Sequence, residues 1–234
     1  MSVPFYVPPE QLTREKAEFA RKGIARGRPL IVLEYAGGIL FVAENPSTHL
    51  HKVAELYDRI AFAAVGRFSE FENLRQAGVR LADIRGYAYG REDVTSRSIT
   101  NAYSQTLGQI FVQEFKPYEV ELCVAEVGTD GAANAMYHVI FDGNVFERKG
   151  WLAMGGQSDE LNAALERGYD EQLELDASLQ LAMRVLREAA PAGEPGGVRL
   201  EAAVLERDRP RRSFRRLSQE DVETRAGGSV AGDQ

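Results

Sequence analysis

The chain contains a single cysteine, Cys123, among 234 residues, so no intrachain disulfide can form and an oxidising compartment is not implied. Cys123 sits in the alternation Val120-Glu-Leu-Cys-Val-Ala125 with no histidine near it in sequence, and it reads as a small buried hydrophobe rather than a nucleophile. No apolar run approaches the roughly 20 residues of a membrane span, and the N-terminus lacks the charged-then-apolar order of a signal peptide. Basic charge is in deficit. Lys and Arg number 28 against 35 Asp and Glu, a net charge of −7 without the basic footprint of a general nucleic-acid binder. Histidine is scarce as well. Of the three, His49 and His51 form a His-x-His pair that a strand would point one way, but His138 is remote and no Cys or carboxylate completes a metal set at ligand spacing. What these absences leave is a cytoplasmic globular protein, long enough for one large domain or, by length alone, two.

The most informative stretch present is Pro29–Glu44: a strand, the Gly37-Gly38 turn and a second strand. Strand pairs of this form open enzymes whose nucleophile is their own N-terminal Thr, Ser or Cys, freed by cleavage, with the new amine serving as base. Here that place falls near Arg28, in mid-chain, behind a charged helical segment. The candidate threonines Thr13, Thr48, Thr95, Thr100, Thr106 and Thr129 lie in expected helices, loops or a hairpin turn, and none begins a strand behind a cleavable segment. Neither G-x-G-x-x-G nor a Walker lysine follows Gly37-Gly38, so no phosphate cradle is expected.

Along the chain, residues 1–9 read as an extended, aromatic-bearing segment, because Pro8-Pro9 forbids an earlier helix start. A helix is expected from Pro9 to Arg26, stopped by Gly27. Its apolar stripe (Leu12, Phe19, Ala20, Ile24) is thin enough to point to packing on a neighbouring molecule. A loop at Asn45–Leu50 precedes β-rich runs around Leu50 to Leu56 and Arg59 to Val65. Two helices follow, one carrying Phe68, Phe71, Leu74 and Gly78, the other Val94, Ile99, Tyr103 and Ile110. The second half repeats the order: strands at Tyr118–Val127 and Ala135–Phe141, a turn at Asp142-Gly-Asn144, and a strand through Trp151–Met154. Ser158 is expected to cap a helix, and Leu175, Leu179, Ala182 and Leu186 mark another. After a breaker at 191–197, a strand runs from Val198 to Leu205. The arginines from Arg207 to Arg216 fit either nucleic-acid contact or a final edge strand whose charges discourage sheet-to-sheet association; the acidic total favours the strand. Paired strand groups alternating with helix pairs, without a linker, predict one α+β domain of packed sheets covered by helices.

Several blocks are similar to one family in particular: Glu15-Lys-Ala-Glu-Phe-Ala-Arg-Lys-Gly-Ile-Ala-Arg26, Tyr35-Ala-Gly-Gly38, Phe41-Val-Ala-Glu-Asn-Pro-Ser47, Glu55-Leu-Tyr-Asp-Arg59, Arg85-Gly-Tyr-Ala-Tyr89 and Lys116-Pro-Tyr-Glu-Val-Glu-Leu-Cys-Val-Ala-Glu126. In this order they resemble the actinobacterial α-type subunits of the proteasome core. The Tyr-Asp-Arg that precedes the first helix in archaeal and eukaryotic members is replaced by Pro8-Pro-Glu-Gln11, as the bacterial branch shows. The resemblance implies a four-layer α-β-β-α sandwich of the N-terminal-nucleophile hydrolase type, with a gate segment at 1–8 and the α-type domain at 9–217; the polar composition of 218–234, with few apolar anchors, marks it as a disordered tail. The resemblance further implies seven-membered outer rings made of copies of the chain. These would template assembly with β subunits, whose threonines cut peptide bonds, would gate substrate access, and would need no cofactor.

The partners implied are a hexameric ring ATPase, or another activator with a C-terminal docking tail, and unfolded tagged protein substrates. The gate residues would be Met1, Ser2, Val3, Pro4, Phe5, Tyr6, Val7 and Pro8. By the same resemblance Lys52, which otherwise reads as a surface lysine, matches the lysine that receives the tail's carboxylate. Gly66 matches the pocket glycine, with a plain strand-to-helix turn as its other reading. The functional alternative is a catalytically active β-type threonine peptidase.

Overall fold

In β1 (Leu30–Tyr35) and β2 (Gly38–Glu44) successive side chains point to opposite faces, yet both faces are apolar. A strand of that kind needs cover on both sides. The computed structural model, which describes residues 8–129, 131–189 and 199–227, supplies it with two stacked sheets between helices. One sheet has the order β10 (Phe214–Arg216), β9 (Leu200–Glu206), β2, β1, β8 (Trp151–Met154). The other runs β3 (Val53–Tyr57), β4 (Ile60–Gly66), β5 (Val120–Glu126), β6 (Ala135–Val139), β7 (Val145–Arg148). Neighbours pair antiparallel, with Val32 opposite Phe41 and Ala63 opposite Cys123.

The alternation decides which residues meet. Leu30, Val32, Ile39, Phe41 and Ala43 face Ala61, Ala63, Val65, Cys123 and Ala125 between the sheets. The other set of the first sheet, Ile31, Leu33, Leu40 and Val42, packs against Leu161 and Leu165 of α4 (Ser158–Gly168) and Leu179, Ala182 and Val185 of α5 (Leu175–Ala189). On the far side, Ile60, Phe62, Leu122 and Val124 meet Phe71 and Leu74 of α2 (Phe68–Ala88) and Ile99, Tyr103 and Leu107 of α3 (Ser96–Gln113). Four layers result, as the resemblance implies. Cys123 is fully buried among them. No helix among the described residues is long and apolar enough to cross a membrane.

The helix α1 (Pro9–Ala25) is better anchored than its thin stripe implies. Ala20 and Ile24 enter the inter-sheet core. The Lys16 ammonium donates to the carbonyls of Phe111 (3.0 Å) and Glu114 (2.7 Å), placing a cation on the unpaired carbonyls at the end of α3.

Two expectations change, for the Ser158 cap and the tail, and two edge strands add detail. Ser158 does not cap α4; Gln157, at φ 59°, occupies the cap, and Ser158 is the first helical residue. Asn162 instead ties α4 to β8, its amide donating to the Ser158 carbonyl at 2.7 Å and accepting from the Ala153 N–H at 3.0 Å. The edge strand β7 went unanticipated because all four of its side chains are exposed and leave no apolar alternation. The arginine-rich stretch does contain an edge strand, β10, as favoured, and three of its arginines are matched by carboxylates: Arg215 pairs with Glu206, Arg216 with Glu201 and Arg212 with Glu55. The tail is only partly outside the described residues. Residues 219–227 form α6 (Gln219–Gly227), which sequence composition had marked as disordered. Its Ser218 and Asp221 cap each other's N–H groups at 3.0 and 2.9 Å, Val222 is buried against the first sheet's helices, and Arg225 pairs with Asp176 of α5. One apolar anchor and good caps suffice where a tertiary surface is waiting.

Val222→Ala is therefore expected to cost about 1–3 kcal/mol, read as a lowered thermal midpoint; a loss below about 0.5 kcal/mol would mean that α6 does not dock.

Candidate functional site

Lys52 stands directly before β3, at the end of a loop that its own polar residues shape. The buried Asn45 accepts from the Ser47 N–H at 3.0 Å and donates to the Leu50 carbonyl at 2.6 Å; the Ser47 hydroxyl then accepts from the N–H groups of His49 (3.2 Å) and Leu50 (2.9 Å). These are Asx and Ser turns in succession. The loop is held from the other sheet by Glu201 of β9, whose side chain is 2% exposed. Its carboxylate accepts from the Lys52 N–H (2.9 Å), the Val53 N–H (3.2 Å) and the Asn45 amide (2.7 Å). It also forms an ion pair with Arg216 of β10, which in turn donates to the Val53 carbonyl at 2.7 Å. A carboxylate this deep would cost several kcal/mol unpaired. Here every demand is met.

The Lys52 ammonium donates to the Arg28 carbonyl at 2.7 Å. Burial is the largest influence on it and pulls its pKa down to about 8, against the upward pull of the Glu201 and Glu44 carboxylates, with Arg28 adding a smaller downward push. Arg28 in turn reaches Glu44 at 3.3 Å. The connection Gly27–Arg28–Pro29 between α1 and β1 thus forms one wall of the Lys52 site. It also touches Gly66: a Cβ built on Gly27 would lie 3.4 Å from the Gly66 nitrogen. The structure therefore brings Lys52 and Gly66 to one backbone segment.

Gly66 has φ +108°, and a Cβ there would sit 1.9 Å from the Glu119 carbonyl oxygen. The turn from β4 into α2 accounts for the glycine by itself, since that carbonyl also receives the Arg67 N–H at 2.9 Å. Around it, Lys116 bridges Glu70 (2.6 Å) and Glu119 (3.0 Å), Arg67 reaches Glu119 at 3.1 Å, and Gly23 of α1 lies against the Glu119 side chain. A charged cluster thus fastens the segment ahead of β5 to the start of α2, with Gly23 of α1 lying against it.

The place where a terminal nucleophile would begin β1 is filled by continuous chain. The Gly27 N–H donates to the Ile24 carbonyl at 2.8 Å, the Gly27 carbonyl accepts from Gly156 at 2.9 Å, and the Pro29 carbonyl accepts from Glu44 at 3.1 Å. Burial pushes the Cys123 thiol far above its ordinary range. The histidines do not converge: His51 lies 3.3 Å from Glu201, whereas His138 sits 2.5 Å from Glu121 on β5. Among the described residues no three His, Cys, Asp or Glu side chains are grouped to hold a metal ion. Of the gate residues, Met1 to Val7 lie outside the described residues; Pro8 is exposed and accepts the Leu12 N–H at 3.1 Å. Sequence reasoning missed Glu201 and Arg216. The available signal was a lone acid inside the apolar run Leu200-Glu-Ala-Ala-Val-Leu205.

Residues 24–205 match the family described as "Proteasome subunit". Known proteins similar to this chain include the "Proteasome subunit alpha" of Acidothermus cellulolyticus, 59% identical over 221 residues that span 93% of this chain and 94% of the relative. The protein of that name from Saccharopolyspora erythraea is 54% identical over 219 residues, 93% and 86% of the two chains. That from Xylanimonas cellulosilytica is 55% identical over 226 residues, 93% of each.

Gly66→Ala should act first on stability. Strain at a positive φ costs about 1–3 kcal/mol before any clash, and each kcal/mol lowers the thermal midpoint by roughly 2–4 °C in a chain of this size. A Gly66→Ala protein that melts like the parent would show that the turn tolerates a side chain.

Proposed function

The chain belongs to the proteasome subunit family, and on that premise we propose that it is the non-catalytic α subunit of a proteasome core particle. In this reading, copies of the chain form seven-membered outer rings that template assembly with β subunits. The rings admit unfolded, tagged substrates through a gate and dock a hexameric ATPase, all within the cytoplasm. One observation carries the non-catalytic assignment against the threonine-peptidase alternative. The residue ahead of β1 is Pro29, peptide-bonded through Arg28 and Gly27 to a helix that is itself bonded to α3. A terminal nucleophile works because its amine is free to act as base. Here the carbonyl at that position accepts the Lys52 ammonium instead.

That contact also supports the docking role. An ammonium has three donors, and the Arg28 carbonyl takes one. Two are left for the terminal carboxylate of an activator tail, and Lys52 remains partly exposed beside the Gly66 turn. Partial burial strengthens such a pair by removing competing water. The gate role of residues 1–8 rests on their place directly ahead of α1 and on the bulk of Phe5 and Tyr6.

The chain coexpressed with its β partner should run in native mass spectrometry as a multi-ring barrel; a persistent monomer overturns the assignment. In the barrel, deleting residues 1–8 should raise hydrolysis of short peptides several-fold, and an unaltered rate would remove the gate. Lys52→Ala removes a charge-assisted bond of about 1.5–3 kcal/mol, so tail affinity should fall roughly ten- to a hundredfold and the ratio of stimulated to basal hydrolysis should approach unity. The pH dependence has a definite sign. The free ammonium titrates at about 8, and a bound carboxylate raises that value, so affinity is flat below pH 8 and declines above it. Docking that strengthens above pH 8 would exclude Lys52 as the receiving cation.

A further inference from the structure

Glu201 is the one charged side chain that β9 buries between apolar neighbours, and an apolar residue would satisfy the strand's alternation at lower desolvation cost. What a carboxylate adds is twofold. It receives the backbone N–H groups of both Lys52 and Val53, which sets the point where the loop enters β3. It also places a negative charge beside the Lys52 ammonium across the gap between the two sheets. The charges facing that ammonium come from each surrounding element: Arg28 from the α1–β1 connection, Glu44 from β2 and Glu201 from β9. Behind Glu201 stand Arg216 of β10, ion-paired to it, and His51 of the same loop at 3.3 Å.

We propose that Glu201 is the positioning residue for tail docking, fixing the Lys52 backbone and keeping its ammonium charged, with Arg216 setting how much of the Glu201 charge Lys52 experiences. The inference rests on the docking reading above and adds to it a control point on the last sheet strands, far from the docking loop in sequence. Glu201→Gln keeps the shape and one acceptor oxygen, enough for the Lys52 or the Val53 N–H but not both because these bind different oxygens, and it deletes the charge. Arg216→Gln deletes the opposing charge from a short edge strand and leaves Glu201 in place.

The test uses the assembled α/β barrel and a fluorescent peptide with the C-terminal sequence of the partner ATPase, in free-carboxylate and amidated forms. Anisotropy is followed from neutral to alkaline pH. With the free carboxylate, the alkaline midpoint for loss of binding should move down by about one pH unit in Glu201→Gln and upward in Arg216→Gln, while the amidated peptide binds weakly throughout. Midpoints that coincide with the parent's in both variants, whatever the change in maximal binding, overturn the proposal by reducing Glu201 to a structural anchor. Should Glu201→Gln fail to assemble, the Arg216→Gln midpoint decides alone: an upward shift supports the proposal and a parental value overturns it. Lys52→Ala, run in parallel, separates the two levels. If it binds the free-carboxylate peptide like the parent, the docking reading itself falls; if it loses binding while the other midpoints stay fixed, only the role of Glu201 falls.

Discussion

The central strands of both sheets bury both faces, and the rest of the molecule follows from that demand. The inner faces can be covered only by each other, so Phe41 and Val32 must find Ala63 and Cys123, and the small residues of β4 and β5 let the large ones of β1 and β2 in. The outer faces can be covered only by helices, which places α4 and α5 on one side and α2 and α3 on the other. A stack closed in this way has polar edges and ends, and chemistry is confined to them. The Lys52 site is at such an end, where α1 feeds into β1.

The connection Gly27–Pro29 shows how one scaffold serves a role other than hydrolysis. Its backbone carbonyls face inward and take the bonds that fix the end of the sandwich: Gly27 from Gly156, Arg28 from Lys52, Pro29 from Glu44. The partly buried lysine, drawn down to about pKa 8 by desolvation, thereby donates to the backbone of this connection. The polar groups around it come in matched sets. Glu201 answers Arg216 and two backbone N–H groups, and Glu44 answers Arg28. Burial is tolerable there because the charges are paired.

Much of this was legible beforehand. The apolar runs Leu30–Tyr35 and Gly38–Glu44 around a Gly-Gly turn, the helical spacing of Phe71 and Leu74, and the Pro8-Pro9 start of α1 all led to the elements observed. Other elements were not. Val145–Arg148 forms an exposed edge strand without a period to read, and Gln219–Gly227 looks like a polar tail until Asp176 and the α5 surface meet it. Ser158 looks like a cap, but the chain turns left-handed at Gln157 instead. Each failure has one cause: local composition does not report what a distant surface will offer.

By itself the sequence determined the apolar runs of the central strands, the Pro8-Pro9 start of α1, the helical spacing of α2, and the blocks that place the chain in its family, because these depend on neighbours within a few residues. Only the tertiary structure decided that Lys52 would meet the Arg28 carbonyl, that Gly66 would be claimed by Glu119, and that Glu201, 149 positions away in the chain, would hold the loop that carries the lysine. Those outcomes depend on which strands of two sheets come to face each other across a gap, and no local pattern encodes that distance.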